Sequence, residues 1–211
     1  MIDYLNKHKN YLVLAFTIVY LLAFTLNGVS KADYEFLYYT ILITVVIIVV
    51  MTIHQNLHLA SFILVNLSML GFIHLMGGNM YIEGVRLYDI YFIPGIIRYD
   101  NIVHTYGTFI GTLSLYSLLA MYIDPAIRRR YPIFAILLIL MAIGMGTVVE
   151  LVEFLAVVLF GVTDKVGDYF NNTLDLFFNT LGASLATVVI YFYLYPPNFI
   201  KRINVQTREG N

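Results

Sequence analysis

The chain has 211 residues, a mean hydropathy of +0.81, 60% hydrophobic residues and only 12% charged ones. A soluble domain is roughly 25% charged, so lipid must be the solvent for much of this surface. A net charge of -1 offers no basic footprint for nucleic acid, and the absence of cysteine removes disulfides, thiolate metal sites and a cysteine nucleophile together.

Hydropathy predicts an all-α polytopic transmembrane bundle, one integral membrane domain over residues 1–211. About six spans are expected, at roughly 11–26, 34–53, 57–76, 101–123, 133–160 and 174–195, each near the roughly 20 residues that a bilayer requires. The first run follows Lys7 and Lys9 as a signal peptide would. It ends in Leu26-Asn27-Gly28-Val29-Ser30-Lys31, a poor match to a small-x-small cleavage site, and is read as a retained span. His54-Gln55-Asn56 is expected to join the second and third spans in a tight hairpin, and the fifth run exceeds one perpendicular crossing, so it must tilt or project.

Six spans put both termini on one side of the membrane. That side holds Lys7, Lys9, Arg128, Arg129, Arg130, Lys201, Arg202 and Arg208, or 8 of the 12 basic residues, which makes it the cytoplasmic side. The longest connection, 77–99, then lies outside. Its glycines, Pro94 and its aromatic residues suit a re-entrant or interfacial cap better than a disordered linker. The sequon Asn171-Asn172-Thr173 is read as a chance match.

The polar residues of the later spans recur in register. In span four Asp100, His104, Gly107 and Gly111 stand at i, i+4, i+7 and i+11, on one helix face. In span six Asp175, Asn179, Gly182 and Ala186 repeat those offsets, with Thr105 and Thr112 matched by Thr180 and Thr187. This is either a degenerate repeat or convergence on one polar, small-residue face. Span five runs the other way with Gly146, Glu150 and Glu153, and span three ends on Gly71 and His74. Four helices therefore carry His74, Asp100, His104, Glu150, Glu153, Asp175 and Asn179 toward one outer level, with glycines below them for close helix contact.

Bland roles compete with a functional site at most of these positions. Asp100 and Asp175 would serve as helix caps, His104 as a hydrogen-bonded bundle histidine, His74 as an interfacial residue, and Asn179 as interhelical glue. Glu150 and Glu153 resist such explanations best, because they sit mid-helix where a carboxylate costs about 2.5 to 3.5 kcal/mol. Glu83, Asp89, Asp164 and Asp168 are weaker candidates in outer loops, and His54 and His58 read as a polar turn.

The chain resembles the YjdF-like family of bacterial inner-membrane proteins and, more distantly, the VanZ-like membrane proteins. The likeness rests on His74-Leu75-Met76-Gly77-Gly78 with Tyr81, Tyr99-Asp100 with His104, Glu150-x-x-Glu153 and Asp175-x-x-x-Asn179-x-x-Gly182, within residues 70–185. It implies a multi-pass protein of the cytoplasmic membrane; Glu153 departs from the Glu-x-x-Gln usual in VanZ-like chains.

The residues themselves leave three readings open. Asp100, Glu150, Glu153 and Asp175 as catalytic carboxylates, with His104 and His74 as further ligands and Asn179 in binding, would hold a divalent metal such as zinc, manganese or iron and act on a lipid or lipid-linked substrate. The same carboxylates would bind the cation or proton of a transporter. A structural or assembly role is the third. The lipid bilayer is the partner common to all three.

Overall fold

The structure, a computed structural model, describes residues 2–57, 59–120, 122–161 and 169–194. Helix α1 (Ile2–Lys31), α2 (Tyr34–Leu57) and α3 (Ser61–Asn79) are followed by two small hairpins, β1 (Tyr81–Ile82) with β2 (Val85–Arg86) and β3 (Tyr91–Ile93) with β4 (Ile97–Arg98). A single 3-10 turn, Leu87–Asp89, lies between the hairpins. Then come α4 (Tyr99–Leu119), the short α5 (Pro125–Arg129), α6 (Tyr131–Phe160) and α7 (Tyr169–Val189), which ends in a π turn at Ile190–Leu194.

Five of these helices are long and apolar enough to cross a membrane: His8–Lys31, Phe36–His54, Ser61–Asn79, Tyr131–Phe160 and Tyr169–Tyr193. The exception among the six long helices is α4. At 21 residues it would reach about 31 Å, but Asp100, Asn101, His104 and its hydroxyl side chains lower its hydropathy. It is also the helix at the centre, packed against α3, α6 and α7. A polar stripe of this kind is tolerable in lipid only when neighbouring helices cover it.

Two local expectations change. Helix α2 continues through His54, Gln55 and Asn56 to Leu57, so the hairpin turn falls later, before Ser61. Nothing in His-Gln-Asn breaks a helix, and the preceding β-branched run keeps its hydrogen-bond ladder going. The 77–99 connection also carries strand pairs inside an otherwise helical chain. Glu83 and Gly84, both with positive φ (52° and 82°), close the first hairpin as the two-residue turn its twist demands. Pro94-Gly95, with Gly95 at φ 70° and Ile96 N–H donating to the Ile93 carbonyl at 3.0 Å, closes the second.

Three apolar clusters hold the bundle. Tyr20, Phe36 and Leu75 join α1, α2 and α3; Leu87, Tyr99 and Val103 join the 3-10 turn to α4; Ile110, Leu113, Phe134, Leu138, Ala186 and Ile190 fill the far end of α4, α6 and α7. Helices α1 and α3 are also linked by polar rungs: Ser61 donates to Asn10, Thr17 and Ser68 share a 2.6 Å hydrogen bond, and Asn27 donates to Asn79.

Candidate functional site

Helices α4 and α7 run parallel, and their paired residues advance together. Asn101 donates to Asp175 at 3.1 Å, His104 Nδ1 lies 3.2 Å from Asn179 Oδ1, and Gly182 lies against Thr105 and Thr108. A Cβ at Gly182 would fall inside the Thr105 carbonyl and the Thr108 hydroxyl, so only glycine permits this approach. The stripe read on α7 therefore does face α4. The stripe read on α4 does not face one partner, since a Cβ at Gly107 would meet Leu70 of α3 and one at Gly111 would meet Met145 of α6. The row of α4 that meets α7 is Asn101, His104 with Thr105, and Thr108, all buried but Thr105, which is half-buried.

His104 is the hub of the cluster. Its Nε2 lies 3.5 Å from Asp100 Oδ1 and 3.9 Å from Asp175 Oδ1, and its Nδ1 lies 3.8 Å from Glu150 Oε1 in addition to the Asn179 oxygen. Asp175 is fully buried and accepts a second hydrogen bond, from Asn171 Nδ2 at 2.9 Å. Asp175 lies well inside α7, which begins at Tyr169, so it is not a cap. Asp100 does stand in the first turn of α4, yet the side chain that closes this end is Asn101, which accepts from the Arg98 N–H at 2.9 Å.

Glu150 is nearly enclosed, with 12% of its side chain exposed, and neither carboxylate oxygen accepts a hydrogen bond among the described residues. The amide nitrogen of Asn179 is likewise buried without a partner there. Glu153, one turn along α6 and half-buried, is close enough for its charge to act on Asp100, His104, Glu150 and Asp175. His74 stands apart from the hub: Tyr88 Oη lies 2.5 Å from its Nδ1 and the Tyr39 ring packs edge-on to it at 6.1 Å. Asp100, His104 and Asp175 can present ligand atoms within 4.8 Å of one another, as a metal centre requires; among the described residues Glu150, Glu153 and His74 lie outside that group.

The weaker candidates fall elsewhere. Glu83 is exposed at the first hairpin turn, Asp89 pairs with Arg86 at 3.0 Å, and His54 Nε2 lies 3.5 Å from the Asn10 amide. The sequon's Asn171 is buried in α7, which supports the chance reading of that motif. Asp164, Asp168, Lys165, His58, Lys201, Arg202 and Arg208 lie outside the described residues, as do the side chains of Lys7 and Arg128.

Sequence reasoning missed Asn101, Asn171 and Tyr88. The two asparagines were legible as polar residues three and four positions from His104 and Asp175, on the same helix faces. Tyr88 carried no such signal, because its reach depends on the 3-10 turn. Burial, and then the negative charges of Asp100 and Glu153, push the Tyr88 phenol well above its ordinary range, so it is a neutral hydroxyl at physiological pH.

No curated protein and no solved structure matches the chain. The family described as Predicted membrane protein (DUF2238) matches residues 12–195, and this description lends no support to the VanZ-like part of the resemblance. With several apolar helices around a buried His/Asp cluster, the chain belongs to this family of multi-pass membrane proteins.

Proposed function

We propose that the chain is a metal-dependent membrane enzyme whose site, open toward the outer face, acts on a lipid or lipid-linked substrate. One observation carries this reading. The Asn179 oxygen holds Nδ1 of His104, which fixes the ring proton there and turns the Nε2 lone pair toward the carboxylates of Asp100 and Asp175. Three acceptors facing one another repel unless a cation stands among them, and a histidine whose other nitrogen is held by a neutral acceptor is the usual form of a metal ligand. Glu150, beside the triad and with neither oxygen hydrogen-bonded among the described residues, is placed to take a proton from a bound water.

The remaining parts of the reading follow from this site. Helix α4 is a span too, bringing the count to six, and is covered on three sides; the termini are cytoplasmic by the basic-residue count; the membrane is the bacterial cytoplasmic one, as a YjdF-like kinship implies; and 1–211 is one unit with its polar core in 70–185. The hairpins form the interfacial cap, supported by exposed apolar residues at their turns and edges, among them Tyr81, Ile82, Phe92 and Ile96.

A proton on His104 would satisfy the same acceptors and serve a proton-coupled carrier. The apolar cluster of Ile110, Leu113, Phe134, Leu138 and Ile190 beneath the site weighs against that reading, since it sets buried side chains that cannot carry a proton below the cluster. The test is metal analysis of the detergent-purified protein beside His104→Gln. About one divalent ion per chain in the parent and none in the variant is expected. A parent without stoichiometric metal, even after incubation with zinc, manganese and iron, removes the metalloenzyme.

A further inference from the structure

The cap does more than cover the site, because its 3-10 turn inserts Tyr88 among groups that bear on the cluster. The Tyr88 hydroxyl lies 2.5 Å from His74 Nδ1, and its ring packs edge-on against Tyr99 at 5.8 Å between centroids. Tyr99 opens α4 and immediately precedes Asp100 and Asn101. It is tied to both sides: its hydroxyl donates to the Ile73 carbonyl at 2.7 Å, and its N–H donates to the Ile90 carbonyl, just past the 3-10 turn, at 3.0 Å. Both rings rest on Gly77, where a Cβ would lie 2.8 Å from Tyr99 Cε1 and 2.9 Å from Tyr88 Cε2 and Cζ. Side-chain carbons do not approach that closely, so any residue but glycine displaces both rings.

We propose that Tyr88 is a positioning residue of the site, which orients the His74 ring through its hydroxyl and, through Tyr99, holds the first turn of α4 that carries Asp100, Asn101 and His104. Its bearing on metal binding rests on the reading of the triad as a cation site; its hold on α4 does not. A ligand-bearing turn at a helix end is free to fray unless tertiary contacts pin it. Here the pin is a residue of the cap, so the cap and the ligands are assembled together.

The variants are Tyr88→Phe, which keeps the ring and removes the hydroxyl, and Tyr88→Ala, which also removes the ring that packs on Tyr99. In the metal-free protein, amide hydrogen exchange at residues 99–104 should rise about five- to tenfold in Tyr88→Ala and stay near the parent's in Tyr88→Phe, which keeps the ring against Tyr99. Exchange in α6 should stay as in the parent. The ¹⁵N resonances of the His74 ring should move in Tyr88→Phe, a signature that simple loosening of the cap would not produce. Titration with Mn²⁺ should show binding weakened by about 10- to 100-fold in Tyr88→Ala, as for other partners that orient a ligand, and less in Tyr88→Phe, whose lost hydroxyl bears on His74 outside the triad. Unchanged exchange at 99–104 in Tyr88→Ala overturns the proposal, as do unmoved His74 ring resonances in Tyr88→Phe and a uniform rise across all helices, which would make Tyr88 mere packing. If the parent binds no Mn²⁺ while exchange at 99–104 still rises, the positioning role stands and the metal reading of the triad falls.

Discussion

Two acid-to-amide replacements in the cluster should shift stability in opposite directions. Asp175 is fully buried and accepts from two amide nitrogens, Asn101 at 3.1 Å and Asn171 at 2.9 Å. In Asp175→Asn one of those contacts becomes donor against donor. That loses a hydrogen bond to a charged acceptor, about 1.5 to 3 kcal/mol, and strands a buried donor at about 1 to 3 kcal/mol. Relief of the buried charge offsets part of this, leaving a net destabilisation of about 2 to 4 kcal/mol. Glu150 differs because, among the described residues, no donor is hydrogen-bonded to either oxygen. Glu150→Gln removes an ionisable group from an enclosed site without breaking a hydrogen bond, so it should be neutral or stabilising by about 1 kcal/mol. The assay is thermal unfolding in detergent with chelator present, where each kcal/mol corresponds to about 2 to 4 °C for a chain of this size. If Asp175→Asn unfolds at the parent's temperature, or Glu150→Gln falls as far as Asp175→Asn does, the hydrogen-bond assignment of the cluster is wrong.

Gly182→Ala should separate α4 from α7, cost about 1 to 3 kcal/mol by overpacking and weaken metal binding, whereas Gly144→Ala, which meets only open space, should do neither; unfolding and metal titration of the pair decide this. Single cysteines placed in this cysteine-free chain at Glu83 and at Arg129, both exposed, should differ in labelling by an impermeant thiol reagent, with only position 83 reacting from outside. The reverse pattern would turn the site toward the cytoplasm. Metal affinity should fall steadily as pH is lowered, because protons compete for His104 Nε2 and for the Asp100 and Asp175 carboxylates; a pH-independent affinity would exclude them as ligands. A double-mutant cycle between Thr17→Val and Ser68→Ala should return a coupling of about 0.6 kcal/mol, the mean for hydrogen bonds inside membrane proteins.

Helix identity was legible in the sequence because lipid imposes a simple requirement, an apolar run of sufficient length, on each crossing helix. That requirement is weakest at α4, where polar residues lower the hydropathy and neighbouring helices cover them. The site was legible through spacing: His104, Asp175, Asn179 and Glu150 are polar residues at helical intervals where polarity is costly, and the structure brings them within hydrogen-bond or ion-pair distance. What spacing does not reveal is rotation. Asp100, His104, Gly107 and Gly111 share one broad face, yet that face borders more than one helix, and its glycines meet α3 and α6 rather than α7. The role of Tyr88 was illegible because two closely spaced hairpins, and not a periodicity, deliver it to His74.

The parallel pairing of α4 with α7 also sets an order of assembly. Neighbours that run the same way can be connected only by a helix running back between them, and here that helix is α6. During synthesis Asp100, Asn101, His104 and Glu150 are therefore made before Asp175 and Asn179 exist to meet them, and if α4 is a span as proposed they enter the membrane without those partners. Each such group is disfavoured in hydrocarbon on its own, so a chain stopped before residue 169 holds its polar residues where lipid rejects them. Arrival of α7 gives Asn101 and His104 their partners together. A ribosome-stalled chain should accordingly stay in contact with the insertion machinery until α7 emerges, then release as a unit.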